Sequence, residues 1–394
     1  MSVSLLSNVP HYHRLAEALD KAGSLDHYVT VVSQMNENTW PLTPAKIKAQ
    51  FKGRRLRVQA SKVTQLILPE ILLKIPPSLG MYSSERGCYI NNYLFDLMAS
   101  RSIPESAVVH FISSIGLITA THAKKWRATL ICDCRQEHPL FHEDLLKDEA
   151  QRCGVETSAL FGLSYRDKIL REFDIADHII VPSIHAKTTF LARGFRDEKI
   201  HVLHYGVKSN LFRPIKKDDD IFRIIYVGQI TFRKGIQYLL EAFTKLNLPG
   251  SELLLVGGVD PIFRPILERY QGSFRHIPHL AHVDLFAHYG QSSIFAMPSL
   301  ADSFGLVVFE AMACGLPVLI SQNTGAADLV RHGEHGFVVP IRDVEAIQEA
   351  IVAAYDSPEL VTKLSANATA LARAQSWERY GQDAIDLYQS LGLL

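Results

Sequence analysis

The chain has 394 residues, roughly two to three times the ~150 residues of one domain. Hydrophobic residues make up 47% and charged residues 21%, a balance that suits a chain with a large core and excludes disordered, collagen-like and coiled-coil classes. Forty-one Lys plus Arg offset 41 Asp plus Glu, so no overall field argues for nucleic acid as a partner, and any electrostatic site must be local.

The start, MSVSLLSNVPHYHRL, lacks a basic segment followed by a long apolar core and does not read as a signal peptide. The first strand candidate is 28–32. Residues 41–69 then carry Lys46, Lys48, Lys52, Arg54, Arg55, Arg57 and Lys62 with no acidic residue. The patch 46–62 suits either a solvated face or peripheral contact with an anionic membrane surface. The apolar run from Leu66 is interrupted by Pro69, Glu70 and Lys74 and is too short to span a bilayer. Further strands are expected at 107–112, 128–133, 178–182 and 200–204, with helical character over 142–152. Five cysteines cannot make a disulfide framework in a chain of this length, so a reducing, cytoplasmic setting is expected. Cys132 and Cys134 lack companion ligands at metal spacing, and no metal is expected.

After Gly206 the composition shifts to KSNLFRPIKKDDDIFR, charged and without apolar periodicity, as an interdomain connection looks. The expected division is 1–205, 206–376, and a final helix from 377 to 394 that packs its apolar stripe and can cross back to the first domain. The second half repeats the alternation: strands at 222–227, 252–256, 294–297, 317–321 and 336–339, with helices from Ile236 and Gly305. Each half reads as a doubly wound α/β domain, whose ligands lie beyond the carboxyl ends of the strands.

Two stretches stand out. In PSLADSFGLVVFEAMACGLPVLIS, from Pro298, Asp302 or Ser303 can cap a helix ended by Gly315 and Pro317. That helix is apolar on every side except at Glu310, so burial is expected. A carboxylate there needs hydrogen-bond donors: either ligand hydroxyls, or an Arg or Lys of the same domain. The helix N-terminus around Phe304, Gly305 and Leu306 also suits an anion. In YVGQITFRKGI, from Tyr226, Gly228 allows a tight turn and Arg233 and Lys234 place two cations before a second helix. Together they suit a diphosphate, whereas two adjacent cations alone also fit a solvated face. The stretch is neither GxGxxG nor a P-loop.

These stretches, with VPSIHAKTTFLARGFRDEKIHVLHYGVKSNLFRP from Val181, SQNTGAADLV and HGFVVP, resemble the retaining nucleotide-sugar glycosyltransferases of family 4 over most of residues 178–340. The resemblance implies a GT-B fold: two Rossmann-like doubly wound domains facing across a cleft. It implies that Glu310 holds the ribose hydroxyls of the donor and that Lys234 and Arg233 neutralise the diphosphate leaving group without a metal or other cofactor. Asp302, in place of a more usual Glu, would lie near the transferred sugar, and the backbone of Phe304, Gly305 and Leu306 would line sugar and phosphate. Gln229 stands where many relatives carry Arg, and Asp328 where they often carry Glu. CDCRQEHPLFHEDLLKDEAQRCG, from Cys132, resembles some members, and it puts His138 after a strand on the acceptor side, where a surface or helix-entry role is the alternative. The implied partners are a nucleotide-sugar donor and a glycan or lipid-linked acceptor, with the enzyme cytoplasmic or peripheral at the inner membrane face. A sugar-nucleotide epimerase and a non-catalytic nucleotide-sugar-binding protein are the competing readings.

Overall fold

A computed structural model describes residues 1–9, 12–31, 56–69, 84–155, 166–207, 213–215, 217–280 and 282–394. The basic residues from Lys46 to Arg55 lie outside the described residues.

The first sheet contains β1 (Val3–Ser7), β2 (Leu25–Val31), β3 (Val63–Leu66), β4 (Val108–Ile112), β5 (Thr129–Asp133), β6 (His178–Val181) and β7 (Ile200–Val202), in the order β3-β2-β1-β4-β5-β6-β7. The second contains β8 (Phe222–Val227), β9 (Ser251–Val256), β10 (Arg275–Ile277), β11 (Ile294–Met297), β12 (Val318–Ser321) and β13 (Gly336–Val339), in the order β10-β9-β8-β11-β12-β13. Every pairing between them is parallel. The central strands VSLLS and VVHFI are buried along their whole length, as parallel strands covered on both faces must be. In both sheets the strand order reverses beside the first strand, between β1 and β4 and between β8 and β11. Ligand crevices open at such points.

The helices that cover the sheets are α1 (His13–Lys21), α2 (Ser84–Ala99), α3 (Leu117–Ala123), α4 (Pro139–Cys153), α5 (Arg166–Ile175), α6 (Ile184–Leu191), α7 (Ile236–Leu246), α8 (Arg264–Arg269), α9 (His282–Gly290), α10 (Leu306–Ala313), α11 (Val344–Asp356), α12 (Pro358–Ala374) and α13 (Trp377–Ser390). The last returns to the first sheet. Gly381 of α13 brings the helix close enough to α1 that a Cβ would lie 3.1 Å from Ala18 Cβ, and the buried Tyr388 hydroxyl meets His110 Nδ1 of β4 at 2.5 Å. The two chain crossings run side by side: Val207 N–H donates to Gln375 O at 2.8 Å, and Gln375 Nε2 donates to Tyr205 O at 3.0 Å. A Cβ at Gly206 would fall 2.4 Å from Trp377 Cα, so the crossing admits no side chain there.

Two buried carboxylates set the geometry around the crevice. Glu172 of α5 accepts from the backbone N–H of Ser114, Gly116 and Leu117, at 2.5, 2.9 and 3.0 Å, and fixes the loop after β4, where Ser114 has φ +80°. Burial pushes its carboxyl up to about 7 against the pull of Lys168 and those N–H donors. Glu149 of α4, fully buried, accepts from Gln237 Nε2 at 2.7 Å, Tyr238 Oη at 2.8 Å and Arg342 Nε at 2.8 Å. All three donors belong to the second half of the chain, so one carboxylate ties α4 to α7 and to the segment after β13.

Removing the Glu149 carboxylate leaves three donors facing one another in the interior. Glu149→Ala should therefore lower unfolding free energy by about 2–4 kcal/mol, measured by urea titration. For Glu172, an unfolded carboxyl titrates near ~4.3, so between that value and about 7 the folded protein keeps a proton that the unfolded chain has released. Stability contributed by this group falls as pH rises through that window. Urea titrations at pH 5 and pH 7 should show a smaller pH dependence in Glu172→Gln than in the parent protein.

Candidate functional site

The loop leaving β8 turns at Gly228, whose N–H bonds to Val256 O at 2.9 Å, and passes Gln229, which is exposed. It tightens into a single 3-10 turn, Phe232–Lys234, directly before α7. Phe232 anchors the turn in the core against Phe263, 4.9 Å between ring centroids. That leaves the neighbouring Arg233 and Lys234 to face the loop after β11. Gly235 makes the approach possible: φ is +67° and a Cβ would lie 2.0 Å from Pro298 O, a position that only glycine fills.

Opposite stands Asp302, almost wholly buried. One of its oxygens, Oδ2, is bonded to Lys234 Nζ and lies 3.9 Å from Arg233 Nη1. Oδ1 accepts from Phe304 N–H at 3.3 Å. Burial alone would raise this carboxyl, but Lys234 and Arg233 hold it below the ordinary carboxylate value. Arg233 also donates to Ala301 O at 2.8 Å. Asp302, Arg233 and Lys234, separated by almost seventy positions in sequence, thus form one charged cluster between the carboxyl ends of β8 and β11.

The helix that follows differs from expectation in two ways. Its N-cap is Gly305, at φ +80° with no side-chain cap, because Asp302 spends Oδ1 on Phe304 and does not cap α10. Nor is the helix buried all round. Val308, Phe309, Ala311, Met312 and Ala313 are buried, whereas Leu306, Val307 and Glu310 are half-buried. These last three share one face by helical spacing, so Glu310 stands on an accessible face. Phe304 stacks on Phe309, 5.2 Å between centroids, and packs edge-on to Tyr205.

The first sheet contributes a set of groups that the sequence motifs did not reveal. Ser303 Oγ donates to Arg135 O at 2.7 Å across the domain junction. Asp328 Oδ2 accepts from Ile184 N–H at 2.6 Å and lies 2.9 Å from His204 Nε2. A Cβ at Gly325 would lie 2.7 Å from Ser183 Cβ and 2.2 Å from Ser303 O. The loops after β5 and β6 are thereby pressed against the loop after β11. The loop after β5 carries Arg135 and Glu137, and the first turns of α4 and α6 carry His142 and His185; the Arg135 Nε, Glu137 Oε1, His142 Nε2 and His185 Nε2 atoms are buried without a hydrogen-bond partner in the protein. Burial lowers the affinity of His142 for a proton, Glu137 opposing and Arg233 adding to the effect. His185 is likewise lowered by burial, against Glu137, Asp328 and Asp302. Arg135, Glu137 and His142 lie in the stretch from Cys132 and His185 in the stretch from Val181, but only the fold brings them to one place.

His138, the acceptor-side candidate, is placed otherwise. Its ring is enclosed by Phe173, Phe190 and Phe195 at 5.1–5.9 Å, and its Nδ1 accepts from Leu140 N–H at 3.3 Å as the N-cap of α4. Burial brings its pKa down to about 4. The acceptor-side expectation for His138 gives way to a helix-entry role, since a neutral ring inside an aromatic cluster, spending one nitrogen on a cap, is a packing element. In the basic patch, Lys62 is paired with Asp20 at 2.8 Å. Among the described residues no group of three or more His, Cys, Asp or Glu is placed to hold a metal ion, and no helix is long and apolar enough to cross a membrane.

Residues 207–371 match the family model described as glycosyl transferases group 1. The D-inositol 3-phosphate glycosyltransferase 1 of Catenulispora acidiphila is 28% identical over 240 residues, 55% of this chain and 57% of that protein. The O-antigen chain mannosyltransferase B of Escherichia coli is 30% identical over 175 residues, 42% of this chain and 45% of that protein. The chain thus spans about half the length of the curated relatives it matches. Over whole chains, the sucrose-phosphate synthase of Thermosynechococcus elongatus superposes with a TM-score of 0.65 at 20% identity, covering 99% of both. The Anabaena protein HepE, solved in complex with UDP and glucose, gives 0.65 at 16% identity, covering 99% of this chain and 100% of that one. The two reversed parallel sheets are the GT-B fold, and residues 207–371 are similar to the glycosyl transferases group 1.

Proposed function

We propose that the protein is a retaining glycosyltransferase that moves a hexosyl group from a nucleotide diphosphate donor to an acceptor hydroxyl, in the synthesis of a glycan, glycolipid or polysaccharide. The observation that carries this reading is the convergence of Arg233, Lys234, Asp302 and the start of α10 at the point where the second sheet reverses its strand order. Breaking the bond between sugar and diphosphate leaves negative charge on the phosphate, and fixed cations aimed at that charge lower the barrier without reorganising. Lys234 and Arg233 take that role, with no metal required. Asp302 keeps the Lys234 ammonium in place before the donor arrives and faces the sugar. Glu310, on the accessible face of α10, accepts from the ribose hydroxyls, and the backbone at Gly228, Phe304, Gly305 and Leu306 lines the phosphates and sugar.

The second sheet with its helices, residues 206–376, forms the donor domain; residues 1–205 form the acceptor domain, joined by the returning helix 377–394. The names of the relatives support the reaction class, and HepE with UDP and glucose supports a nucleotide-sugar donor for this fold. The acceptor is a glycan or lipid-linked sugar and the setting cytoplasmic, with the basic segment 46–62 available for peripheral contact with the inner membrane face.

Thermal unfolding in the presence of UDP, GDP or ADP should show a rise in Tm for one base and not the others, since a ligand that binds only the folded state stabilises it by mass action. With that nucleotide, Glu310→Ala should weaken binding about tenfold, the loss of hydrogen bonds to a charged acceptor, as read by calorimetry. Lys234→Ala should lower kcat by about 10²–10³ while changing nucleotide affinity by less than tenfold. Parent-like binding by Glu310→Ala together with parent-like turnover by Lys234→Ala would contradict the site.

A further inference from the structure

Across the cleft from the Arg233–Lys234–Asp302 cluster, two groups of the first domain face each other without bonding. Glu137, in the loop after β5, is 3% exposed, and His185, in the first turn of α6, has a side chain 10% exposed. Glu137 Oε1 and His185 Nε2 are 4.0 Å apart, and neither has a hydrogen-bond partner in the protein. Both are held from behind. Ser183 Oγ caps α6 by accepting from Ala186 N–H at 3.0 Å, Asp328 fixes Ile184 N–H, and the Phe141 ring meets the imidazole edge-on at 5.8 Å.

Had Nε2 carried a proton, the carboxylate beside it would have drawn it into a direct bond of ~2.8 Å. The wider gap fits an imidazole with its proton on Nδ1, presenting Nε2 as an acceptor next to an acceptor carboxylate. Two buried acceptors at this spacing call for two donors. Hydroxyls on adjacent carbons, themselves about 3 Å apart, can donate one to each atom in nearly parallel hydrogen bonds of ~2.8 Å. A single hydroxyl has one proton and satisfies only one of them.

We infer that Glu137 and His185 form the acceptor subsite, that they recognise a vicinal diol, and that His185 takes the proton of the attacking hydroxyl while Glu137 holds its neighbour. This rests on the glycosyltransferase reading and deepens it. In the transfer step the acceptor oxygen forms its bond to the anomeric carbon as the bond from that carbon to the diphosphate oxygen breaks. The electron pair of the broken bond leaves on the diphosphate, and the hydroxyl proton passes to His185 Nε2. The resulting imidazolium is faced by Glu137 from the β5 loop, Asp302 from the β11 loop and Asp328 from the turn after β12, three carboxylates that stabilise it until the proton is released. Before the step, burial keeps the ring neutral, as a base must be. A polyol such as a sugar or cyclitol fits the subsite; an isolated alcohol does not.

The test is a set of crystals of the full chain soaked with UDP, GDP or ADP together with ethylene glycol, with 1,3-propanediol in parallel crystals. The expected result is ethylene glycol with one oxygen within ~3.2 Å of Glu137 Oε1 and the other within the same distance of His185 Nε2, and no such pose for 1,3-propanediol. A direct bond between the two side chains, or any occupant other than the vicinal diol, overturns the proposal. Kinetics with the same diol as acceptor give a second readout. His185→Gln should lower kcat about 10²-fold and remove the fall in rate on the acid side of the pH profile. Glu137→Gln should raise the KM for the diol more than it lowers kcat. An unchanged pH profile in His185→Gln overturns the proton-transfer role. The two readings separate cleanly: a bridged diol with none of UDP, GDP and ADP bound near Arg233 and Lys234 counts against the glycosyltransferase reading, whereas a bound nucleotide beside an unbridged pair counts against the diol subsite alone.

Discussion

The contact between Lys234 and Asp302 joins the two loops on either side of the strand-order reversal in the second sheet, and much of the site follows from it. An ammonium and a carboxylate removed from water must find each other or pay a desolvation cost of several kcal/mol each. Here their meeting requires the loop after β8 to lie flat against the loop after β11. That closeness is available only because Gly235 offers no Cβ to Pro298 O. One backbone position and one ion pair therefore decide where both cations point. Arg233, next in the chain and only 3.9 Å from the same carboxylate oxygen, keeps a share of its charge unneutralised. A doubly negative leaving group would find one cation already positioned and a second with charge to spare.

The same carboxylate limits what the site can do unliganded. With Lys234 bonded to Oδ2 and Phe304 N–H to Oδ1, Asp302 has few remaining lone pairs for a sugar hydroxyl. Its short side chain reaches the ammonium and its own loop, and little further. On the proposed function, the donor diphosphate would draw Lys234 toward itself and release Oδ2. This exchange costs less than bringing a free lysine in from solvent, because the side chain is already confined.

Much of this was legible in the sequence, and the exceptions have physical causes. The parallel strands of the second half stand out as β-branched runs such as RIIYV, VLIS and GFVV, and the charged cluster lies within motifs that announce themselves. Three strands escaped. VSLLS, near the centre of the first sheet, has one β-branched residue and two serines, so no β-branched run marks it. VTQL and RHI are edge strands whose half-exposed residues carry no apolar run. Glu310 was read as buried because helix composition says how apolar a helix is, not which of its faces the fold leaves open. His138 looked like a site residue because it follows a strand, but whether such a side chain turns into the crevice or back beneath the sheet depends on neighbours such as Phe173, Phe190 and Phe195, distant in sequence.

The residues missed altogether share one property: each acquires its meaning from the other domain. Glu137 and His185 are ordinary until the β11 loop arrives opposite them, and Glu149 is a surface-type residue until Gln237, Tyr238 and Arg342 surround it. The junction that brings them together combines polar bonds, Ser303 to Arg135, Asp328 to Ile184 and Glu149 to three donors, with the buried aromatic contact of Phe304 on Tyr205. The more accessible polar bonds can exchange for bonds to water as the halves part, whereas the Phe304–Tyr205 contact and the buried Glu149 cluster resist separation. An enzyme that must admit two substrates and then exclude water between them needs a junction of that kind. Glu149 marks where parting is most costly, since its three donors cannot all be rehydrated without exposing the buried side of α4.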